Sequence, residues 1–468
     1  MSQRTLVGLV SLALALGAVV RGEAIGDVGA ELWVNGRSAA CSDDYSRLQA
    51  GSSDTPWCSL VRAAAAATAG DTVHVQPGRY LGTVRPASST TFVGEAEGAT
   101  IDAAGASAAI KLSSVSDVKI QGIAVTGAAV QGIWASGVDR VTFDRLDVNG
   151  NGGPGIQVLN STATTVTHSR ITGNGGAGVF EGAGTSGGMY VSNEIRSNGL
   201  NGEPYNGDGI QIGGVGAYIA GNTIVANGDP GPFEHGIYTG PSARDFVIEG
   251  NVVGRNAGSN IKAAGSNGTI RYNRLEEGRL GLVLSDNAAP VVVYYNLIFG
   301  QYQHAVFLTV GHTAAQARLW NNTLVVTARN GGSGDASAVF VKSADLLDMR
   351  NNVVSYTNPD NAGSAVNVPD AGQVKAFTSD NNWFSSTQAN GRHVVWNGAR
   401  VTLNQWTRNT GQDGATVASA PPLIDADAYV VSTNLGRARG QYLGLVRDYS
   451  GIAVPTASAP DIGAHQAA

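Results

Sequence analysis

A short pattern that repeats between residues 192 and 287 limits the folds available to this chain more than any other feature does. Each repeat opens with an Asn close to an apolar residue and closes with a short apolar stretch. The central residues of four such stretches, Ile210, Ile237, Ile261 and Leu282, are 27, 24 and 21 residues apart. A loose period of this length with a constant internal pattern indicates a solenoid, in which each repeat forms one coil of the chain.

The same pattern extends over most of the chain. Short apolar stretches recur from residue 118 to residue 367, and Asn residues precede them in a long series: Asn193, Asn222, Asn251, Asn273, Asn296, Asn322, Asn352 and Asn382. Asn side chains stacked at one turn can hydrogen-bond along the stack, so we interpret this series as structural. With 64 glycines and only 14% charged residues, the composition favours short strands and turns over helices. We therefore predict an all-β fold, a parallel β-helix of about eleven coils.

The two ends of the chain lack the pattern. We expect them to cap the solenoid, because an open end would expose apolar core and unpaired strand edges. Near the N-terminus, Thr55 and Pro56 predict the start of a helix that buries Leu60 and that Gly70 ends. The predicted segments are a signal peptide at 1–24, an N-terminal cap with the first coil at 25–90, the β-helix at 91–386 and an irregular C-terminal cap at 387–468.

The N-terminus predicts export from the cell. Arg4 precedes an apolar run over 6–20, and the residues 22–24 fit a signal-peptide cleavage site. That run is too short for a membrane span, and no later stretch is long enough. The only two cysteines, Cys41 and Cys58, are expected to form a disulfide in an oxidising compartment. A net charge of −6 argues against nucleic acid as a partner, so we expect a secreted monomer.

Successive coils should place residues that are distant in sequence side by side. Because side chains alternate along a strand, the residue after each buried one points outward. This offset gives a column of outward residues: Trp134, Gln157, Phe180, Gln211, Tyr238, Lys262, Val283 and Phe307. Two positions before the buried residues lie Asp208, His235, Ser259 and His304. Adjacent coils are about 4.8 Å apart, so we expect Tyr238 to contact Lys262 and His235 to face Asp208.

These residue types suit the cleavage of an acidic polysaccharide by β-elimination. The reaction needs a cation that neutralises the uronate carboxylate, a base that takes the neighbouring proton and an acid that protonates the leaving oxygen. Lys262, one of five lysines in the chain, or a nearby Arg can neutralise the carboxylate; we assign the base to His235 and the acid to Tyr238. Asp208 either orients His235 or, with Glu234, holds a cation such as Ca²⁺.

Further residues near this face are candidates for substrate binding: Gln211, Arg255, Arg279, Trp134 and Phe307. Two long insertions, 196–208 and 225–235, precede the strands that follow Asp208 and His235, and we expect them to wall a cleft. Simple stacking within the aromatic column and a solvated surface role for Lys262 are the structural alternatives.

The beginning and end of the chain resemble those of a known group of proteins. The short helix followed by GDTV (70–73) and PGRY (77–80) and the repeated Asn units resemble the pectate-lyase-like superfamily of right-handed parallel β-helix proteins, which includes polysaccharide lyases. The closing series NNWF (381–384), PLID (422–425), DYSG (448–451) and DIGA (461–464) resembles the ends of many secreted bacterial members. The resemblance implies a right-handed coil and action on a polysaccharide.

More specific motif resemblances give alternatives. The Asn-x-Asp-Gly-Ile, Gly-His-Gly and Arg-Ile-Lys marks of polygalacturonase-type glycosidases are matched in part by Asn206, Asp208, His235 and Lys262. The paired aspartates of that family are absent, although hydrolysis needs two carboxyl groups. The stretch GDPGPFEH (228–235) is similar to a signature of alginate epimerases. We expect a lyase or C5-epimerase acting on an acidic polysaccharide; the alternatives are a glycoside hydrolase and a non-catalytic carbohydrate-binding or surface solenoid.

Overall fold

The chain winds into stacked parallel coils. The computed structural model describes residues 29–200, 207–229, 233–311, 313–327, 336–357, 363–386, 391–419 and 434–466. The predicted signal peptide and Asn206 lie outside these residues. Parallel sheets of 14 and 25 strands run along the coil, and the larger sheet consists of two ladders joined by two long strands that take part in both. A typical coil thus contributes one strand to each of three faces, which defines a parallel β-helix.

We refer to the 14-stranded face as the first sheet and to the two ladders as the second and third sheets. The first sheet comprises Glu31–Val34, Thr72–Val75, Thr91–Gly94, Lys119–Gln121, Thr142–Asp144, Thr165–Thr167, Met189–Val191, Tyr218–Ala220, Val247–Glu249, Thr269–Arg271, Val291–Tyr294, Ala315–Trp320, Ala344–Arg350 and Val374–Asp380. The second sheet comprises Gly78–Leu81, Ala99–Asp102, Ala124–Thr126, Asp147–Asn149, Arg170–Thr172, Glu194–Arg196, Thr223–Val225, Val252–Gly254, Thr323–Val326, Val353–Tyr356, Trp383–Ser386 and Val417–Ser419. The third sheet comprises Ala108–Ser113, Gln131–Ser136, Ile156–Leu159, Val179–Glu181, Ile210–Ile212, Ile237–Thr239, Ser259–Ala263, Ser337–Val341, Ser364–Val368 and Val394–Trp396, with Ala399–Val401 added antiparallel. The strands Arg274–Leu284 and Leu297–Leu308 take part in both the second and the third sheets.

The predicted fold class and coil register are confirmed. Ile210 pairs with Ile237, Ile237 with Ile261, and Ile261 with Leu282, and all four side chains are buried in the core. The first sheet has 14 strands, more than the eleven coils that the repeat predicts. The difference arises at the N-terminal end, where Glu31–Val34, Thr72–Val75 and Thr91–Gly94 pair in register before the repeated stretches begin at residue 118.

The predicted Asn series forms a continuous hydrogen-bonded ladder at the turn before the second sheet. Asn222 is representative: its Oδ1 accepts the backbone N–H of Asn193 at 2.9 Å and the side-chain amide of Asn193 at 3.0 Å. Its own Nδ2 donates to Tyr190 O at 2.8 Å and to Asn251 Oδ1 at 2.9 Å. The ladder therefore satisfies buried polar groups of the turn that would otherwise lack partners.

A second Asn ladder, which we did not predict, lies at the turn between the second and third sheets. Its buried members are Asn151, Asn174, Asn198, Asn227 and Asn256, with side-chain contacts of 2.9 to 3.1 Å between successive amides. A Gly follows Asn151, Asn174, Asn198 and Asn227, and this dipeptide was the sequence signal for the ladder. The two ladders hold two corners of the coil, so the third sheet keeps a fixed position relative to the second.

The N-terminal helix comprises Leu60–Ala66. It begins after the predicted start at Thr55 and Pro56 and ends before the predicted end at Gly70. Thr55 and Pro56 do not begin it, because Trp57 is buried and forms a parallel bridge with Val34, which keeps the chain extended. Ser59 is the N-cap, and its hydroxyl accepts the Arg62 N–H at 3.2 Å. Cys41 and Cys58 are disulfide-bonded, with Cα atoms 4.9 Å apart. Across the described ranges, the helices are all too short or too polar to cross a membrane.

The C-terminal segment does more than close the end of the solenoid. The helix Leu403–Thr410 covers the last coils with Trp406, whose ring lies 4.9 Å from that of Trp396. Residues 434–466 then run back along the side of the second sheet, where Ile462 packs on Val353 and Trp383. Tyr272 OH donates to Arg447 O at 3.1 Å several coils away from the end. This lateral packing covers apolar residues of the second sheet and leaves the third sheet uncovered by that segment.

The Asn ladder gives a testable stability prediction. Asn222→Ala leaves the backbone N–H of Asn193 buried without an acceptor and removes the side-chain bonds to Asn193 Nδ2, Asn251 Oδ1 and Tyr190 O, so we expect a loss of about 2–4 kcal/mol in the free energy of unfolding. Urea unfolding monitored by circular dichroism measures this change. Asn149→Ala, which alters a half-buried Asn outside both ladders, is the matched control with an expected loss below about 1 kcal/mol. Equal losses in the two variants would contradict the structural role of the ladder.

Candidate functional site

The outward residues of the third sheet form one continuous column. Strand register pairs Trp134 with Gln157, Gln157 with Phe180, Phe180 with Gln211, Gln211 with Tyr238, Tyr238 with Lys262, Lys262 with Val283, and Val283 with Phe307. The column continues to Lys111 on one side and to Phe340 on the other. The coil thus gathers on one face side chains that span about half of the sequence.

Tyr238 and Lys262 are neighbours in this column. The Lys262 Nζ lies 5.2 Å from the centroid of the Tyr238 ring, and both side chains are half-buried. Burial, with the charges of Asp208 and Asp286, raises the pKa of Tyr238 above its ordinary value. Among the described residues, no salt bridge joins Lys262 to a carboxylate. The pair therefore presents a cation and a phenol together at the surface.

His235 lies behind this pair. Its ring is 5.8 Å from that of Tyr238, centroid to centroid, and its side chain is buried. Burial and the nearby charge of Lys262 lower the pKa of His235 to about 3, so the imidazole is neutral at physiological pH. Its Nδ1 accepts the Ser259 backbone N–H at 3.1 Å and lies 2.8 Å from the Ser259 hydroxyl. Because a backbone N–H can only donate, the proton of the neutral ring belongs on Nε2, and His235 is better suited to donate a hydrogen bond than to act as the predicted base.

Asp208 lies next to His235 but contacts its backbone. The Asp208 Oδ1 accepts the His235 N–H at 2.6 Å, so Asp208 fixes the start of the strand and does not orient the imidazole directly. Burial raises the pKa of Asp208 to about 8; the His235 N–H and Lys262 act in the opposite direction, and the Glu234 charge adds to the rise. The carboxyl group is fully enclosed, with 2% of the residue exposed.

The predicted Ca²⁺ site can be tested against the donor set. Glu234 is buried near Asp208, and its Oε2 accepts the Asp229 N–H at 2.7 Å. Ca²⁺ takes six to eight oxygen ligands, whereas this pair has one oxygen of each carboxylate already bound to a backbone N–H. No group of three or more His, Cys, Asp or Glu side chains among the described residues is arranged to hold a metal. The described residues therefore do not fit a calcium site at Asp208 and Glu234.

The arginines near the face differ in their partners. Arg255 is exposed and pairs with Glu277 at 3.7 Å, so its charge is offset. Arg279 contacts a neutral partner, with its Nε donating to Gln303 Oε1 at 2.6 Å. Burial lowers the pKa of His304, the Ser337 contact opposes this, and the charge of Arg279 adds to the lowering. Of the two arginines predicted to bind substrate, Arg279 is the one that leaves a positive charge near the column.

The remaining predicted substrate contacts lie at a distance from Lys262 along the same face. Gln211 is next to Tyr238, and its buried Oε1 has no hydrogen-bond partner. Trp134 is four coils from Tyr238, about 19 Å at the usual strand spacing. Phe307 packs with Phe340 and His304, with ring centroids 5.5 Å from each. They form one lateral surface rather than one compact pocket.

The sequence pattern placed Ser259 beside His235 without indicating its role, and it did not indicate Asp286 at all. The role of Ser259 in fixing His235 depends on the exact rotation of the imidazole, which the spacing of residues does not indicate. Asp286 influences Tyr238 from the turn after Leu284, where its Oδ1 accepts the Thr313 N–H at 3.0 Å. The two insertions predicted to wall a cleft lie partly outside the described residues, and their described ends, such as Gly199 and Gly207, approach each other closely.

Comparison with known proteins supports the fold. The family model described as "Right handed beta helix region" matches residues 108–204 and 183–324. No curated protein sequence matches the chain. The sheets and their register define a parallel β-helix, and the match of this family model within residues 108–324 agrees with the right-handed coil that the resemblance predicted.

Solved structures similar to the chain share little sequence with it. XylC in complex with xylose is 10% identical, over 94% of this chain and 98% of that chain, with a TM-score of 0.55. Pectate lyase Pel9A is 16% identical over 94% and 98%, with a TM-score of 0.41. PfbA, a surface adhesin of Streptococcus pneumoniae, is 12% identical over 70% and 89%, with a TM-score of 0.47. At these identities the likeness concerns the fold alone.

The buried Asp208 gives a pH-dependent prediction. Its pKa is about 8 in the folded protein against 3.8 ordinarily, so its contribution to stability is complete below about pH 4 and is lost as pH rises towards 8. Asp208→Asn keeps an acceptor for the His235 N–H and cannot ionise. We expect thermal unfolding of this variant at a higher temperature than wild type at pH 8 and at the same temperature at pH 4.

Asp54→Asn, an exposed Asp in the N-terminal segment, is the control and should leave both transitions unchanged. A lower unfolding temperature of Asp208→Asn at pH 8 would contradict the predicted pKa. Such a decrease seen only with added calcium would instead indicate that the carboxylates of Asp208 and Glu234 hold the ion.

Proposed function

We propose that the third sheet binds an acidic, uronate-containing polysaccharide and that the protein cleaves it by β-elimination. One observation supports this proposal above others: Lys262 lies beside Tyr238 on adjacent coils, with its Nζ 5.2 Å from the ring and no salt bridge to a carboxylate among the described residues. A half-buried cation without an acidic partner is suited to bind the carboxylate of a sugar. Neutralising that carboxylate makes the adjacent C–H more acidic.

The arrangement suggests a role for each of three side chains. Lys262 neutralises the uronate carboxylate, and the Nε2–H of neutral His235 donates a hydrogen bond to the same group. The Tyr238 phenolate takes the proton from C5, the electron pair forms the C4–C5 double bond, and the C4–O4 bond breaks. Tyr238 then returns the proton to O4, which leaves an unsaturated uronate on one product. This scheme replaces His235 by Tyr238 as the base.

A lyase fits this arrangement better than a C5-epimerase does. In elimination, one group on one side of the sugar can take the proton and then give it to the leaving oxygen. Epimerisation requires a second group that returns the proton to C5 from the opposite side. Among the described residues of this face, Tyr238 is the group beside Lys262 that can transfer a proton. One such group is enough for elimination but not for epimerisation, so the arrangement favours a lyase. Unsaturated products separate the two reactions directly.

Non-catalytic carbohydrate binding is the second candidate. It is favoured by the raised pKa of Tyr238, which keeps the phenol protonated at neutral pH, and by the bond from the Ser259 N–H to His235 Nδ1, which occupies the free lone pair of the imidazole. Hydrolysis is less suited to the site, because Asp208 and Glu234 behind the face are buried and each binds a backbone N–H.

The cellular setting is part of the proposal. A disulfide between Cys41 and Cys58 is typical of proteins that leave the cytosol, and the apolar run at 6–20 fits an export signal. An acidic chain of net charge −6 is poorly suited to bind nucleic acid. We therefore propose a monomeric protein that meets its polysaccharide outside the cytosol.

The proposal predicts loss of activity on changing either member of the pair. Wild type incubated with alginate, polygalacturonate and glycosaminoglycans should release products with the ultraviolet absorbance of unsaturated uronates from at least one of them. Lys262→Met and Tyr238→Phe should each lower kcat/KM at least about 100-fold on that polymer. Circular dichroism checks that both variants are folded.

Lys119→Met and Tyr218→Phe alter the same residue types on the first sheet and should retain full activity. Xylan serves as a neutral glycan, since XylC is described with xylose. Retention of an acidic polymer without any product would support the binding role instead, and new reducing ends without unsaturation would indicate hydrolysis. Full activity in both Lys262→Met and Tyr238→Phe would exclude this site.

The proton-transfer role predicts the pH dependence. The pKa of Tyr238 is raised above 10, and the reactive form is the deprotonated one. The rate should therefore rise about tenfold per pH unit between neutral pH and about pH 9, because the phenolate fraction grows by that factor. Steady-state kcat/KM against pH measures this slope. A flat profile over the same range would exclude Tyr238 as the base. It would indicate instead that His235, which is neutral throughout this range, takes the C5 proton.

A further inference from the structure

The outward column of the third sheet has a regular order of residue types over seven coils. It runs Lys111, Trp134, Gln157, Phe180, Gln211, Tyr238 and Lys262, which is lysine, aromatic, glutamine, aromatic, glutamine, aromatic and lysine. All seven side chains are half-exposed, whereas the next residue in the column, Val283, is 5% exposed. We call these seven residues the binding strip.

The two ends of the strip have the same local structure. Lys111 Nζ lies 4.7 Å from the Trp134 ring centroid, just as Lys262 Nζ lies 5.2 Å from that of Tyr238. As with Lys262, no salt bridge joins Lys111 to a carboxylate among the described residues. The exposed Arg85 follows Val84, which bridges to Ile110 beside Lys111, and adds positive charge there. An acidic protein thus concentrates unpaired cations at both ends of one strip.

The middle of the strip is polar and aromatic without charge. Gln131 Nε2 donates to Gln157 Oε1 at 2.7 Å, which holds the Gln157 amide in place. Gln211 is likewise half-exposed, although its Oε1 is buried without a hydrogen-bond partner. Phe180 lies between these glutamines and offers an apolar ring of the kind on which sugar rings pack. Amides and rings in alternation suit uncharged parts of a glycan.

The length of the strip limits what can bind it. Six coil steps separate Lys111 from Lys262, about 29 Å at the usual strand spacing. One sugar unit of an extended chain is about as long as one coil step, so the strip corresponds to about six units. The aromatic residues recur on every second coil, and an extended chain whose units alternate in orientation presents the same face at every second unit.

Resting on the proposed function, we propose that Lys111 and Trp134 form a second carboxylate-binding subsite, so that the strip binds a linear polyuronate of about six units whose carboxylates contact lysines at both ends. Cleavage takes place at the Tyr238–Lys262 end, and the Lys111–Trp134 end holds the chain at a distance. Long chains are therefore preferred over short ones, because both ends of a long chain bind simultaneously.

Binding of oligouronates of defined length tests this inference. Isothermal calorimetry with a trimer and a decamer of the preferred uronate is carried out in the Tyr238→Phe background, so that the ligand is not consumed. The decamer should bind more tightly than the trimer. Lys111→Met should weaken decamer binding about tenfold, the loss expected for one charge-assisted contact, and should change trimer affinity by no more than about twofold because the other end remains.

Matched variants make the outcomes distinct. Lys119→Met on the first sheet should leave both affinities unchanged, and Gln157→Ala should reduce the difference between decamer and trimer without changing charge. If Lys262→Met weakens the decamer and Lys111→Met does not, the second subsite is excluded while the proposed function stands. If no oligouronate binds to any variant, both are excluded. If the oligouronates bind but wild type forms no unsaturated product, binding along the strip is supported and cleavage by β-elimination is excluded.

Discussion

The hydrogen-bonded register between successive coils is the interaction on which the rest of this structure depends. Each coil pairs with the next through backbone bonds in three sheets, and two Asn ladders hold the corners between them. A parallel sheet fixes which residue lies above which, because a shift by one residue would move every side chain to the opposite side. Residues from Lys111 to Phe340 share one face because the third-sheet pairings between them keep their register; the shift between Gly278 and Leu280 lies before the third-sheet part of that long strand.

The residues buried behind the face and those exposed on it have different chemical roles in the site. Asp208, Glu234 and His235 lie in the first layer beneath the column, where burial favours the neutral forms of Asp208 and His235 and raises the pKa of Glu234. Tyr238 and Lys262 lie above them with access to solvent. The buried groups thus support the strand and the imidazole, and the exposed pair is left to meet a ligand. A positive surface on an acidic protein arises here from a few unpaired cations and not from net charge.

The fold could be predicted from sequence because its causes are local and repeated. Each Asn, each buried Ile and each turn occurs many times, so errors at one coil do not affect the others. The ends were harder: Thr55 and Pro56 look like a helix start, but the burial of Trp57 against Val34 overrides them. The path of residues 434–466 along the second sheet depends on tertiary packing of Ile462 and Ala464, which has no repeat to reveal it.

The site was predictable in position and less so in role. Alternation along strands was enough to place Tyr238 beside Lys262. The tautomer of His235 and the enclosure of Asp208 depend on side-chain rotation and burial, which spacing does not encode. Lys111 belonged to the same column by the same offset, but its strand precedes the first clear repeat. The positions of these residues thus follow from the regular register, whereas their protonation states depend on burial, which varies from coil to coil.

A crystal structure of the Tyr238→Phe variant with a long oligouronate tests the central claim most directly. The account predicts a single sugar chain lying parallel to the coil axis on the third sheet, with one carboxylate at Lys262 and another at Lys111. A chain bound across the coils, on the first sheet or against residues 434–466 would contradict it.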